Sequence, residues 1–212
     1  MTSTAAPTVR PGAKTLSIRT GAALLALFVG LFALPGTAMA GYHPQDMFVA
    51  FTSQITPPRG YTSMCAAQPE LCSASPAPGK ADLSNDLRLL DRVNRSVNHV
   101  VRQREDRRTY GRDDVWIPSG ARMGATGDCE DIALQKRIDL VQAGYPADRL
   151  FLAVGYGRRI GLHVVLMART DSGDLVLDSR EADIHAWRET PYQWIGAQST
   201  SDPAQWYGIR SA

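Results

Sequence analysis

The sequence predicts an α+β fold in which a helix that opens on a cysteine packs against an antiparallel β-meander. Three observations predict it. Cys129 follows Gly127-Asp128, acidic residues fill the next turn, and Gly144 and Pro146 act as stop signals, so Cys129 sits at or near a helix N-terminus. Beyond Pro146 the periodicity shortens: Leu150–Val154, His163–Ala168 and Leu175–Leu177 are short apolar runs separated by glycine-containing turns, as strands are. The last two runs are joined by Arg169-Thr170-Asp171-Ser172-Gly173-Asp174, a turn-rich segment suited to a hairpin, and a helix followed by such a meander is an α+β arrangement.

From the N-terminus, Arg10, Lys14 and Arg19 precede a fourteen-residue apolar run, Gly21–Leu34, and the small-residue stretch Gly36–Ala40. These are the three parts of a secretory signal. The run is shorter than the roughly 18 to 20 residues that span a bilayer, and Ala38-Met39-Ala40 has the small-x-small form of a cleavage site. The expectation is cleavage after Ala40, with an uncleaved anchor as the alternative, and in either case a folded part outside the cytoplasm. Without residues 1–40 the chain carries 20 Lys and Arg against 21 Asp and Glu. That balance gives no reason to expect a polyanionic partner such as nucleic acid.

Residues 41–80 hold Pro57, Pro58, Pro69, Pro76 and Pro78, too many breakers for long regular elements, and read as an irregular segment. Cys65 and Cys72 are seven apart and close readily in an oxidising compartment, whereas Cys129 lies more than fifty residues away and stays a free thiol. From Asp82, residues Leu83, Leu87, Leu90, Val93, Val97 and Val100 recur at three- and four-residue steps, one face of an amphipathic helix expected to reach about Arg104. A polar connector runs on to Pro118. Its arginines, Arg102 to Arg112, interleave with Glu105 and Asp106 and read as an ion-paired, solvated surface. The tail with Trp187, Trp194 and Trp206 fits a further strand or a covering loop equally well. The expected organisation is a signal over 1–40, the disulfide-pinned segment 41–80, and a core over 81–212 that forms one domain with it.

Thiol nucleophiles need a thiolate, a histidine to share its proton, and a polar group that holds the imidazole in the useful tautomer. A helix N-terminus offers unpaired amide protons and about half a positive charge, which lowers a thiol pKa. Cys129 occupies that position, His163 opens the middle strand, and Asp178 follows the last one. A four- to six-residue turn centred between Thr170 and Asp171 would set His163 opposite Asp178. Each residue also has a plainer reading: a buried structural cysteine, a packed histidine, a turn aspartate. The order of all three is what points to chemistry. His43, His99 and His185 have no spacing suggestive of a metal site.

Gly127-Asp128-Cys129-Glu130-Asp131, Gly161-Leu162-His163-Val164-Val165-Leu166 and Leu175-Val176-Leu177-Asp178 resemble the bacterial transglutaminase-like cysteine peptidase family. Val93-Asn94, Val97-Asn98, Asp113-Asp114-Val115-Trp116 and Pro118 are similar too, so the likeness covers roughly Asp82 to Trp206, and the Cys65 and Cys72 pair fits it. Ile132 departs from it, standing where many relatives carry an aromatic residue. The resemblance implies a transglutaminase-like, papain-like fold, with Cys129 as nucleophile, His163 as base and then acid, and Asp178 as orienter. It also implies Ca²⁺ dependence through Asp128 and Glu130, with Asp131 as a helper. The plainer reading of these acids is that they cap the helix and complement its dipole. Trp116 either lines the cleft, as a matching tryptophan does in similar enzymes, or packs in the core. The family's LapG-type members imply a periplasmic protease that releases a biofilm adhesin by cutting near its N-terminus, held by an inner-membrane cyclic-di-GMP receptor. Transglutaminase or deamidase chemistry uses the same triad, and a catalytically idle calcium-dependent interaction module is the third reading.

Overall fold

Apolar side chains on both faces of the central strands decide the architecture, because a sheet greasy on two sides must be covered on two sides. The computed structural model describes residues 47–73 and 85–210. All of them fall in one compact unit, Gly41–Ala212. The expected signal and its cleavage site lie outside the described residues, as do His43 and Leu83.

In chain order the elements are β1 (Phe51–Ile55), α1 (Arg59–Ala67), α2 (Leu87–Val100), β2 (Val101–Gln103), α3 (Asp106–Tyr110), β3 (Ala125–Gly127), α4 (Cys129–Ala143), β4 (Leu150–Gly157), β5 (Gly161–Thr170), β6 (Gly173–Leu177), β7 (His185–Ala186), β8 (Gln193–Gln198) and β9 (Trp206–Ile209). Among the described residues, seven strands form one antiparallel sheet in the order β1-β9-β8-β4-β5-β6-β7, and β2 pairs with β3 in parallel. Alternate residues of β4 and β5 serve opposite cores. Leu150, Leu152, Val164 and Leu166 pack with Leu90 of α2, Leu134 and Leu140 of α4, and Tyr61 and Trp116. Phe151, Ala153, Val165 and Met167 pack with Val49, Trp187 and Trp194.

Several boundaries differ from the expectation, each for a local reason. Pro58 and Pro69 do not break structure: Pro58 stands at the N-cap of α1 and Pro69 opens a single 3₁₀ turn, Pro69–Cys72, where a missing N–H costs nothing. Residues 41–80 therefore contain a strand and a helix. The Cys65–Cys72 disulfide ties α1 to that turn, with 5.7 Å between Cα atoms. Helix α2 begins at Leu87, after Asp86 accepts a 2.9 Å bond from the Leu89 N–H. It stops at Val100 because Val101–Gln103 pairs with β3. The polar connector contains α3, and Asp106 is buried at 3% exposure, not solvated. The tail supplies β8 and β9, which join β1 to the central strands. Ile132, the departure from the family pattern, packs with Val97, Val101 and Ala125.

Candidate active site

The cysteine is set by where β6 lets go of β5. Pairing with β6 covers only Leu166 to Thr170, leaving the first half of β5 without that neighbour. The head of α4 fills the gap, and the Val164 N–H donates to Cys129 Sγ at 3.4 Å. Cys129 is half-buried and is the free cysteine of the chain. Its position at the start of α4 follows the sequence expectation, with Gly144 as the left-handed C-cap at φ 104°.

The helix terminus does not by itself give a thiolate. Burial pushes the Cys129 thiol well up, and the charges of Glu130 and Asp128 add to that, against the Val164 donor. Glu130 Oε2 accepts from Cys129 Sγ at 3.0 Å, so this carboxylate favours the protonated thiol.

His163 and Asp178, 5% and 3% exposed, meet with Nε2 2.7 Å from Oδ1. The turn that joins their strands differs from the expectation. Thr170 pairs with Gly173 and Leu166 with Leu177, so the loop is the two residues Asp171-Ser172. Extending that register sets Asp178 opposite Val165, not opposite His163. The two stand on a diagonal, where Cβ atoms roughly 7–8 Å apart or less remain within reach of longer side chains. With Nε2 engaged, Nδ1 is the ring nitrogen left for the thiol. Asp178 is further held by the Arg180 N–H at 2.9 Å and by the Tyr192 hydroxyl, and Asn98 Nδ2 donates to its carbonyl at 2.9 Å. Burial works against its charge, yet the bonds from His163, Tyr192 and Arg180 hold Asp178 below the ordinary carboxylate range.

Beside the nucleophile lies an acidic cluster. Oxygens of Asp106, Asp128 and Asp131 all lie within 4.8 Å of one another. Asp128 is the N-cap residue of α4 but makes no side-chain cap bond, unlike the plain capping expectation. Its Oδ1 and that of Asp106 are buried without a hydrogen-bond partner. Burial and neighbouring acids push Asp128 and Asp131 up to about 8 and raise Asp106 as well. Three carboxylates of which two keep an unanswered buried oxygen suit a hard cation in donor type. Of the expected ligands, Asp128 and Asp131 belong to this cluster, whereas Glu130 faces the Cys129 sulfur. Asp106 was hidden in the arginine-rich run. Its only sequence signal is position at the start of a short helix after β2.

A cleft of about 880 Å³ opens over these groups, with Cys129, Glu130, His163, Trp116, Leu162 and Ile195 among its walls. Trp116 fits both expectations, lining the cleft while only 4% exposed. Its Nε1 donates to Asp114 Oδ1 at 2.7 Å and its ring meets Tyr61 edge-on at 5.5 Å. His99 and His185 take no part in the acidic cluster.

No curated protein matches the chain. Three solved structures of Legionella pneumophila LapG are similar. The first is 29% identical over 51% of this chain and 61% of that one, with a TM-score of 0.44, so the chain spans less than two thirds of it. A calcium-bound form is 23% identical over 72% and 81%, TM-score 0.48, and an EGTA-treated form 27% over 51% and 61%, TM-score 0.42. The family model described as bacterial transglutaminase-like cysteine proteinase matches residues 51–212. That match runs from β1 through β9 and carries the cysteine helix with it. The chain belongs to the bacterial transglutaminase-like cysteine proteinase family.

Proposed function

We propose that this protein is an exported, calcium-dependent cysteine endopeptidase in which Cys129 is the nucleophile, His163 the general base and then acid, and Asp178 the orienter. The observation that carries the reading is the 2.7 Å His163–Asp178 bond on the strand whose next residue, Val164, bonds the Cys129 sulfur. Asp178 fixes the tautomer with the proton on Nε2, so Nδ1 takes the thiol proton as sulfur attacks the scissile carbonyl carbon. The Cys129 backbone N–H, at the head of α4, is the natural donor to the developing oxyanion. As the tetrahedral adduct collapses, the C–N bond breaks and His163 returns its proton to the leaving amine. A water, deprotonated by the same Nδ1, then attacks the thioester carbon and frees the thiol and a carboxylate product.

Asp106, Asp128 and Asp131 are the residues that would hold a divalent cation, and their hard oxygens suit Ca²⁺ better than Zn²⁺. When bound, Ca²⁺ supplies positive charge beside Cys129 that offsets carboxylates which otherwise favour the thiol. Export to the periplasm rests on Arg10 to Ala40, which has the form of a cleaved signal. The likeness to LapG-type proteases supports a large surface adhesin as substrate and an inner-membrane cyclic-di-GMP receptor as partner. The test is cleavage of a peptide library with Ca²⁺ and with chelator. Calcium-dependent new termini, lost in Cys129→Ala, are expected; full activity in chelator removes the calcium reading, and cleavage by Cys129→Ala removes the nucleophile.

A further inference from the structure

Tyr192 stands just before β8, and its hydroxyl donates to Asp178 Oδ2, the carboxylate oxygen that His163 does not use. Its ring lies against the imidazole, with centroids 5.4 Å apart and planes at 42°, and is backed by Trp194 at 5.5 Å. The sheet makes room for this ring. Gly155 of β4 pairs with His163 on one side and Trp194 on the other. A Cβ at Gly155 would come 3.0 Å from Tyr192 Cβ and 3.2 Å from Trp194 Cε3. Gly155 has no left-handed φ, so the site uses its missing side chain and not its backbone freedom.

We infer that Tyr192 is a positioning residue of the peptidase site: its hydroxyl locks the Asp178 carboxylate so that Oδ1 faces His163 Nε2, while its ring fixes the imidazole plane. The inference rests on the reading of His163 and Asp178 as base and orienter. A carboxylate with one oxygen bare can turn about its Cβ–Cγ bond, and the imidazole turns with it. Tyr192 lines a recess of about 650 Å³ with Tyr156, Trp187 and Gln193 and is not among the walls of the Cys129 cleft, so it acts through Asp178 and not on bound peptide.

The test is Tyr192→Phe, alone and combined with Asp178→Asn. Losing one hydrogen bond to a charged group predicts a fall in kcat on the order of tenfold with KM unchanged. In Asp178→Asn the same change should cost no further activity, because the two act as a unit. A second readout does not need turnover. In the Cys129→Ala background, proton NMR should show a strongly deshielded His163 Nε2–H that shifts or broadens with Tyr192→Phe. If no peptide is cleaved by the parent protein, the peptidase mechanism fails while this resonance still reports on Tyr192. Should Tyr192→Phe not fold, Gly155→Ala keeps the hydroxyl, crowds the ring and carries the same cycle. An unchanged kcat, a loss carried by KM, a loss that adds to that of Asp178→Asn, or an unmoved resonance overturns the inference.

Discussion

Asp178 Oδ1 reaches His163 Nε2 at 2.7 Å along a diagonal of the hairpin, with Val165 as the residue directly across from Asp178 by register. This geometry engages Nε2 and leaves Nδ1 as the ring nitrogen free of Asp178. Cys129→Ala and His163→Ala should each reduce kcat by about 10⁴ or more with the fold intact, whereas Asp178→Asn keeps a small residual rate. Steady-state kinetics beside a thermal melt separates the two effects. Near-normal turnover in Cys129→Ala would end the proposed mechanism.

The acidic cluster predicts a calcium-dependent stability with a defined pH signature. Burial first, and neighbouring acids next, push Asp128 and Asp131 up to about 8. A carboxyl that holds its proton more tightly when folded contributes stability below its unfolded pKa of about 4, and that contribution is lost as pH rises through about 8. In chelator the protein should therefore lose stability from about pH 4 to 8. Added Ca²⁺ should remove most of that slope. Asp106→Asn should weaken the calcium response at least tenfold, read as the Ca²⁺ concentration that raises Tm halfway; an unaltered response would take Asp106 out of the ligand set.

Lys136 predicts a slope of the opposite sign at higher pH. It is fully buried in α4, and its Nζ donates to Asn94 Oδ1 at 2.7 Å and to the Leu177 carbonyl at 3.3 Å. Burial lowers its pKa to about 7, against the attraction of Asp178. The unfolded chain then binds more protons between about pH 7 and 10, so stability rises with pH across that window. Urea denaturation of Lys136→Met should show that rise flattened. An identical slope in both proteins would mean that Lys136 stays charged in the fold.

The cysteines predict a labelling pattern. Alkylation without reduction should modify Cys129 alone, and mass mapping should find Cys65 joined to Cys72. Reducing that bridge opens a short loop and should cost about 2 kcal/mol. Label on Cys65 in the unreduced protein would contradict the pairing.

The residues themselves determined the parts of this protein whose signals are local. A glycine after an apolar segment marks a helix end because few other residues adopt a left-handed φ, and Gly144 does so at the end of α4. Short β-rich runs between turns marked β4, β5 and β6, and Gly127-Asp128-Cys129 marked the head of α4. Chain order alone also put forward the thiol, the imidazole and the carboxylate, and the fold brings the last two into contact.

What pairs with what was decided only by the tertiary structure. The two-residue turn at Asp171-Ser172 made the His163–Asp178 contact diagonal, since one residue more or less in a turn slides every pair along the strand. Asp106 joined Asp128 across 22 positions when α3 folded onto the head of α4, and Tyr192 reached Asp178 only because Gly155 leaves space on β4. Burial also decided the electrostatics: Asp106 is buried where a solvated arginine-rich surface would have kept it exposed, and desolvation, more than the neighbouring acids, raises the Cys129 thiol against the helix terminus. Such contacts depend on desolvation and on side chains distant in sequence, and neither is written in the local pattern from which helices and strands are read.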